Sequence, residues 1–193
     1  FLAGRGHMNL EGLGFERGAK LIAVGLLADV ADIFALDETR LAELEGFGAK
    51  SAKKLIEAIE RVRREATLSS LLAALGIPNV GSVAAKALAA RFLQLDALLD
   101  LLDADGAEAL VEMVSGIEGI GPVIGQAVAD FFSDENTRNI LAKLKQRGVD
   151  PVEPAPVVID GPLGGKVFVV TGALSRPRGE VTRAIEAAGG KVT

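Results

Sequence analysis

The chain has 193 residues, 49% hydrophobic and 24% charged, and 21 Lys and Arg face 26 Asp and Glu for a net charge of −5. That is a globular composition, long enough for one or two domains. It contains no cysteine, one histidine (His7), no Trp or Tyr, and no apolar run near the ~18 residues of a membrane span. These absences exclude disulfides, thiolate zinc sites, cysteine nucleophiles and histidine clusters, and leave single-strand binding on stacked aromatics poorly supplied. The acidic total still permits a local anion-binding site, because binding follows the local field.

In chain order, the pattern is helical as far as residue 150. Leu55, Ile56, Ile59 and Val62 recur at helical spacing, as do Leu68, Leu71, Leu72 and Leu75, and later Val128, Phe131 and Phe132. Residues 1–67 carry 10 basic and 11 acidic side chains, and residues 68–150 carry 6 and 11. Pro151, Pro154 and Pro156 then stop helix formation, so 151–162 reads as an extended linker. Residues 163–193 change character. The β-branched run Lys166 to Thr171 predicts a buried strand, Gly179 to Ala188 a helix with Val181, Ile185 and Ala188 on one face, and Lys191 to Thr193 a second extended piece. A β-α-β start of about 30 residues seldom folds alone, so this segment reads as the truncated opening of an α/β domain.

The strongest signal is a repeat. Leu10-Glu11-Gly12-Leu13-Gly14 returns as Leu44-Glu45-Gly46-Phe47-Gly48, as Ile77-Pro78-Asn79-Val80-Gly81 and as Ile117-Glu118-Gly119-Ile120-Gly121, with final glycines 34, 33 and 40 residues apart. Helical sequence is expected before and directly after each copy. The first glycine, or Asn79, suits a tight reversal that needs left-handed backbone. The apolar residue between can plug the angle between two helices. The second glycine opens the next helix, where free N–H groups and the positive dipole end attract anions and a missing side chain admits a phosphate. A lone Gly-x-Gly between helices is more often a helix end and a turn. A helical solenoid with glycine turns would account for four of them, but it has no need of an apolar residue between each pair of glycines.

Basic residues follow the second and third hairpins: Lys50, Lys53 and Lys54 with Ser51 after the second, and Lys86 with Ser82 after the third. Cations in the first turn of a helix oppose its dipole, and they suit a bound phosphate. For any single lysine a solvated face is the commoner role. Arg61, Arg63 and Arg64 lie further along and read as an exposed face.

The four units resemble the helix-hairpin-helix motif of DNA-repair proteins, in which paired units grip duplex phosphates across the minor groove without reading bases. Taken with the linker and Gly165-Lys166-Val167-Phe168-Val169-Val170-Thr171-Gly172, they are similar to the C-terminal part of bacterial NAD-dependent DNA ligases, and residues up to Val192 resemble the opening of a BRCT domain. Arg5, Met8, Gly12, Leu13 and Gly14 resemble the stretch that follows the zinc finger in that family, and the smooth continuation of Gly6-His7-Met8 into Asn9-Leu10-Glu11 favours natural sequence there. The resemblance covers essentially the whole chain and rests on order and spacing. It implies a mainly α fold of four helix-hairpin-helix units in two pseudo-symmetric pairs, roughly 1–67 and 68–150, then the linker 151–162 and a truncated BRCT-like domain over 163–193.

The resemblance also implies a function. The chain would be the sequence-independent duplex-binding portion of a ligase that seals nicks in DNA replication and repair, in the bacterial cytoplasm and at the nucleoid when bound to DNA. A monomer is expected, without membrane association. The implied DNA-binding residues are Gly12, Leu13 and Gly14; Gly46, Phe47, Gly48, Lys50, Ser51, Lys53 and Lys54; Asn79, Val80, Gly81, Ser82 and Lys86; and Gly119, Ile120 and Gly121. Thr171-Gly172 stands where phosphopeptide-binding BRCT domains hold a phosphate, although a strand-ending Thr-Gly turn is the simpler account. The adenylated lysine of the family lies in a Lys-x-Asp-Gly motif. Here Asp160-Gly161 has Val158 in the lysine position, so no catalytic, cofactor or metal residue is expected in this stretch. NAD, magnesium and a structural zinc are implied for the parent enzyme. A stand-alone DNA-binding or junction-recognition subunit remains the alternative; the BRCT-like segment disfavours it. A family X polymerase is disfavoured because its BRCT domain usually comes first.

Overall fold

A computed structural model describes residue 8, residues 10–154, 161–172 and 176–192. The chain divides into two compact units, Phe1–Pro154 and Ala155–Thr193. In the first unit the described elements are α1 (Phe15–Ala23), a 3-10 helix (Val30–Ala35), α2 (Glu38–Ala42), α3 (Ala49–Glu65), α4 (Leu68–Ala74), α5 (Ser82–Phe92), α6 (Leu95–Ser115), α7 (Pro122–Ser133) and α8 (Glu135–Gln146). Helix α6 breaks at Gly106, where φ is 86° and ψ 176°.

Local sequence sets the helix starts. Asp37, Thr67 and Asp134 cap α2, α4 and α8 by accepting the backbone N–H three residues on. Asp29 and Asp32 form a reciprocal capping box at the 3-10 helix. Helices α1, α3, α5 and α7 begin differently, each with a glycine at the N-cap: Gly14, Gly48, Gly81 and Gly121.

The buried faces of these helices make one hydrophobic core that includes Leu21, Leu41, Leu55, Ile59, Leu72, Leu88, Leu110 and Phe132. Helices α6 and α7 pack closely enough that a Cβ on Gly125 would lie 2.9 Å from the Val111 carbonyl oxygen and 2.5 Å from Ser115 Oγ. Helix α8 returns to the 3-10 helix through Lys143–Asp29 and Arg147–Asp32 ion pairs. The N–H groups of Ala28 and Asp29, helped by the charges of Lys143 and Arg147, hold the Asp32 carboxyl below the ordinary carboxylate range.

Residues 151–154, read from sequence as the start of an extended linker, are tied to the first unit. Glu153 N–H donates to the Leu93 carbonyl (2.7 Å), and its carboxylate accepts from Ser69 N–H (2.8 Å) and Ser69 Oγ (3.0 Å). Residues 155–160 lie outside the described residues, as does the helical segment expected before the first hairpin.

The second unit contains β1 (Val167–Phe168), α9 (Arg178–Ala187) and β2 (Lys191–Val192), with β1 and β2 parallel. Val181, Ile185 and Ala188 are half-buried along one side of α9. The expectation of a buried strand over 166–171 is corrected. Only Val167 and Phe168 are in strand, and Val167 and Val169 are 62% and 69% exposed. The physical reason is coverage. Gly190 sits beside both Phe168 and Ile185 of α9, where a Cβ would lie 2.9 Å from the Phe168 ring and 2.7 Å from Ile185 Cγ2, so the Phe168 side of β1 is covered. Successive strand residues point to opposite faces, so Val167 and Val169 fall on the other side.

Candidate nucleic-acid interface

The four repeated segments adopt one geometry. In each, a backbone bond closes the turn, from Leu13 N–H to the Leu10 carbonyl (3.1 Å), Phe47 to Leu44 (2.9 Å), Val80 to Ile77 (3.1 Å) and Ile120 to Ile117 (2.9 Å). The third residue of each turn has positive φ: Gly12 94°, Gly46 86°, Asn79 63° and Gly119 81°. This is the backbone of a turn that demands glycine or asparagine at that place, and Pro78 occupies the preceding position that proline favours. The central residues Leu13, Phe47, Val80 and Ile120 are only 5–8% exposed. They act as plugs and their contribution is to fix the turn.

The second glycine of each hairpin behaves differently. Gly14, Gly48, Gly81 and Gly121 have φ of −82°, −103°, −88° and −107°, which any residue can adopt. A Cβ built on each would meet nothing within 4 Å. All four are exposed N-cap residues, and the first N–H groups after them have no carbonyl one turn back to bond; by the third position the Ser51 and Ile124 N–H groups donate to the Gly48 and Gly121 carbonyls (2.9 and 3.1 Å), and Pro122 has no N–H. Four bare helix starts thus lie open where neither fold nor packing requires glycine.

The hairpins are brought together in pairs. A cleft of about 510 Å³ is lined by Glu11, Gly12, Arg17, Gly48, Lys50, Ser51 and Lys54, which joins the first hairpin to the second. A second cleft of about 730 Å³ is lined by Pro78, Pro122, Val123, Gln126, Ala127, Asp130 and Phe131, which joins the third to the fourth. The first sets Arg17, Lys50 and Lys54 against one acidic residue, Glu11. The second is mainly apolar, with Gln126 and Asp130 as its polar lining and no cation, and Val83 and Val123 beside hairpins three and four are 82% and 70% exposed.

Lys50, Lys53 and Lys54 are exposed on the first two turns of α3. Ser51 is engaged within its own hairpin, its Oγ accepting from Gly48 N–H (3.0 Å) and lying 2.9 Å from the Gly48 carbonyl oxygen. Ser82 and Lys86 are exposed on α5. The burial pattern over residues 81–90 is identical, position by position, to that over 121–130. Lys86 therefore corresponds to Gln126, whose amide nitrogen donates to Asp130 (2.8 Å). No Lys or Arg occurs between Ile117 and Thr137, so the fourth hairpin presents a dipole without a cation.

Two residues escaped the sequence reading. Arg17 Nη1 donates to the Gly12 carbonyl (2.9 Å), and its guanidinium lies 5.0 Å from the Phe47 ring centroid. Lys20 Nζ donates to the Glu45 carbonyl in the second turn. In the second unit Thr171 and Gly172 are exposed just beyond β1, with Gly172 at φ 78°. Among the described residues no cluster of His, Asp and Glu is placed to hold a metal ion, and no helix is long and apolar enough to cross a membrane.

The geometry coincides with known families. Residues 8–61 match the family described as a SAM-like helix-hairpin-helix tandem, and residues 70–141 the family described as a helix-hairpin-helix motif. The chain is 44% identical over 99% of its length to a protein named DNA ligase from Rubrobacter xylanophilus, and 40% identical over 98% and 96% of its length to others so named from Haloferax volcanii and Gemmatimonas aurantiaca. It spans 26–27% of the length of those three proteins.

Proposed function

The chain belongs to the helix-hairpin-helix proteins and is homologous over nearly all its length to about a quarter of a DNA ligase, and from that premise we propose that it is the duplex-gripping portion of an NAD-dependent DNA ligase acting in replication and repair. The observation that carries this reading is the set of four N-cap glycines with ordinary φ and open space where a Cβ would stand. A glycine that the fold does not need is explained by a ligand that must reach the backbone. First-turn N–H groups donate to an oxyanion, and the helix dipole favours its charge. Lys50, Lys53 and Lys54 add point charges beside the second hairpin, and Lys86 one beside the third. Phosphate contacts of this kind set register and orientation and read no base.

The catalytic contribution is positional. Phosphates held at several hairpins fix the duplex on either side of a nick, so that the adenylated 5′ end and the 3′ hydroxyl meet in line. The adenylating lysine, the NAD site, magnesium and the structural zinc belong to other parts of the parent enzyme. The parallel β-α-β order of the second unit supports its reading as a BRCT start, with Thr171 and Gly172 as its candidate phosphate contacts.

The test is the salt dependence of binding to nicked duplexes of unrelated sequence. Each lysine that neutralises a phosphate steepens the slope of log K against log salt by about 0.9. Replacing Lys50, Lys53 and Lys54 together with Gln should flatten the slope and weaken binding equally on every sequence. A parental slope in that variant would make these lysines a solvated face, and a loss that depends on base sequence would rule out recognition through phosphates alone.

A further inference from the structure

Arg17 and Lys20 stand three and six residues after the N-cap Gly14, on a helix that opens with Phe15, 92% exposed. Arg17 at this position opposes the dipole of α1, so helix stability does not account for it. Both cations turn inward onto main-chain carbonyls of hairpin turns: Arg17 onto Gly12 of the first, Lys20 onto Glu45 of the second. They lie directly over the turn glycines. A Cβ on Gly12 would come 3.6 Å from Arg17 Nη1, and one on Gly46 3.5 Å from Lys20 Nζ. The Arg17 guanidinium also covers Phe47, the plug of the second hairpin. One helix thus reaches across 25 residues of sequence and touches both turns.

We propose that Arg17 and Lys20 are positioning residues that lock the first two hairpins into a single two-phosphate clamp. The inference rests on the DNA-gripping reading above. Two phosphate sites on a rigid body bind a strand jointly, the second contact benefiting from the effective concentration set by the first. The same cations offset the partial negative charge of two carbonyl oxygens beside a cleft that would take an anion. The second pair has no such device. The positions three and six residues after its N-cap glycines hold Ala84 and Ile124, and Ala87 and Ala127. Its hairpins meet instead through Pro78 and a mainly apolar cleft. The clamp of the first pair is therefore held by charge-assisted contacts and that of the second by apolar packing.

The experiment is a double-mutant cycle read by fluorescence anisotropy on nicked duplex, with melting followed by circular dichroism. Arg17→Met and Lys20→Met each remove a brace and keep the apolar stem. Each should weaken binding about tenfold at low salt, the scale of one lost charge-assisted hydrogen bond. Lys50→Gln should cost at least about threefold less in either braceless background than in the parental chain, because the second hairpin no longer gains from the first. Arg17→Lys keeps a donor for the Gly12 carbonyl and should restore the coupling, which loss of fold would not explain. If the losses multiply independently, or Arg17→Lys behaves as Arg17→Met, the clamp is wrong while the DNA-gripping reading stands. If the parental chain does not bind nicked duplex at all, the reading fails and takes the clamp with it.

Discussion

Replacing an N-cap glycine with serine should separate folding from binding at each hairpin. At Gly48 the φ of −103° is open to any residue, and a Cβ would meet nothing within 4 Å, so the substitution carries no steric penalty. Serine is a better N-cap than glycine by a few tenths of a kcal/mol, because its hydroxyl accepts from a first-turn N–H. Stability should therefore hold or rise slightly in Gly14→Ser, Gly48→Ser and Gly81→Ser. The same hydroxyl occupies the position a phosphate oxygen would take and consumes a donor. Losing one charge-assisted bond costs about 1.5 kcal/mol or more, which is about tenfold in Kd. Denaturant melts by circular dichroism give the first quantity and anisotropy titrations with nicked duplex the second. The reasoning is refuted if the serine variants bind like the parent. It is equally refuted if they lose more than about 1 kcal/mol of stability, since the glycines would then be structural.

Further substitutions probe the scaffold. Gly125→Ala gains about 1 kcal/mol of helix propensity but drives a Cβ to 2.9 Å from the Val111 carbonyl oxygen. The expected net is a loss of about 1–2 kcal/mol in urea melts, whereas relief of the contact by a small helix shift would leave stability unchanged. Asn79→Gly should be neutral or slightly stabilising, and Asn79→Ala should cost about 1 kcal/mol, because φ is 63° there. Asp32 has a lowered folded pKa. Its contribution is present above the unfolded carboxylate value near ~3.9 and is lost as pH falls through the folded value. Asp32→Asn should therefore melt earlier than the parent at neutral pH, and the gap should close in strong acid. Incubation of the chain with NAD and magnesium should leave its mass unchanged, since Lys-x-Asp-Gly does not occur. An added AMP in the mass spectrum would contradict that.

What could be read from sequence was the part that repeats. Positive φ at Gly12, Gly46, Asn79 and Gly119 and the burial of Leu13, Phe47, Val80 and Ile120 follow from local chemistry that four copies display side by side. The braces were hidden because Arg17 and Lys20 look like surface charges, and their partners are main-chain carbonyls, one of them in another hairpin. The ion pairs of α8 with Asp29 and Asp32 join residues 114 and 115 apart in sequence, beyond the reach of any periodicity. The 3-10 helix Val30–Ala35 is too short for a period to show, although the Asp29–Asp32 capping box was a usable sign. At β1 a β-branched run suggested burial, but burial depends on what covers each face of a strand, and composition does not supply that.

The most direct measurement is a titration of the isotopically labelled chain with nicked duplex, followed by backbone amide resonances. The account predicts shifts concentrated at the helix starts after Gly14, Gly48, Gly81 and Gly121, strongest beside Lys50 and weakest at the fourth hairpin, where Pro122 lacks an N–H. The same residues should move with duplexes of unrelated sequence. Shifts centred on the acidic residues of α6, such as Asp100, Asp103, Glu108 and Glu112, or confined to the second unit, would contradict it.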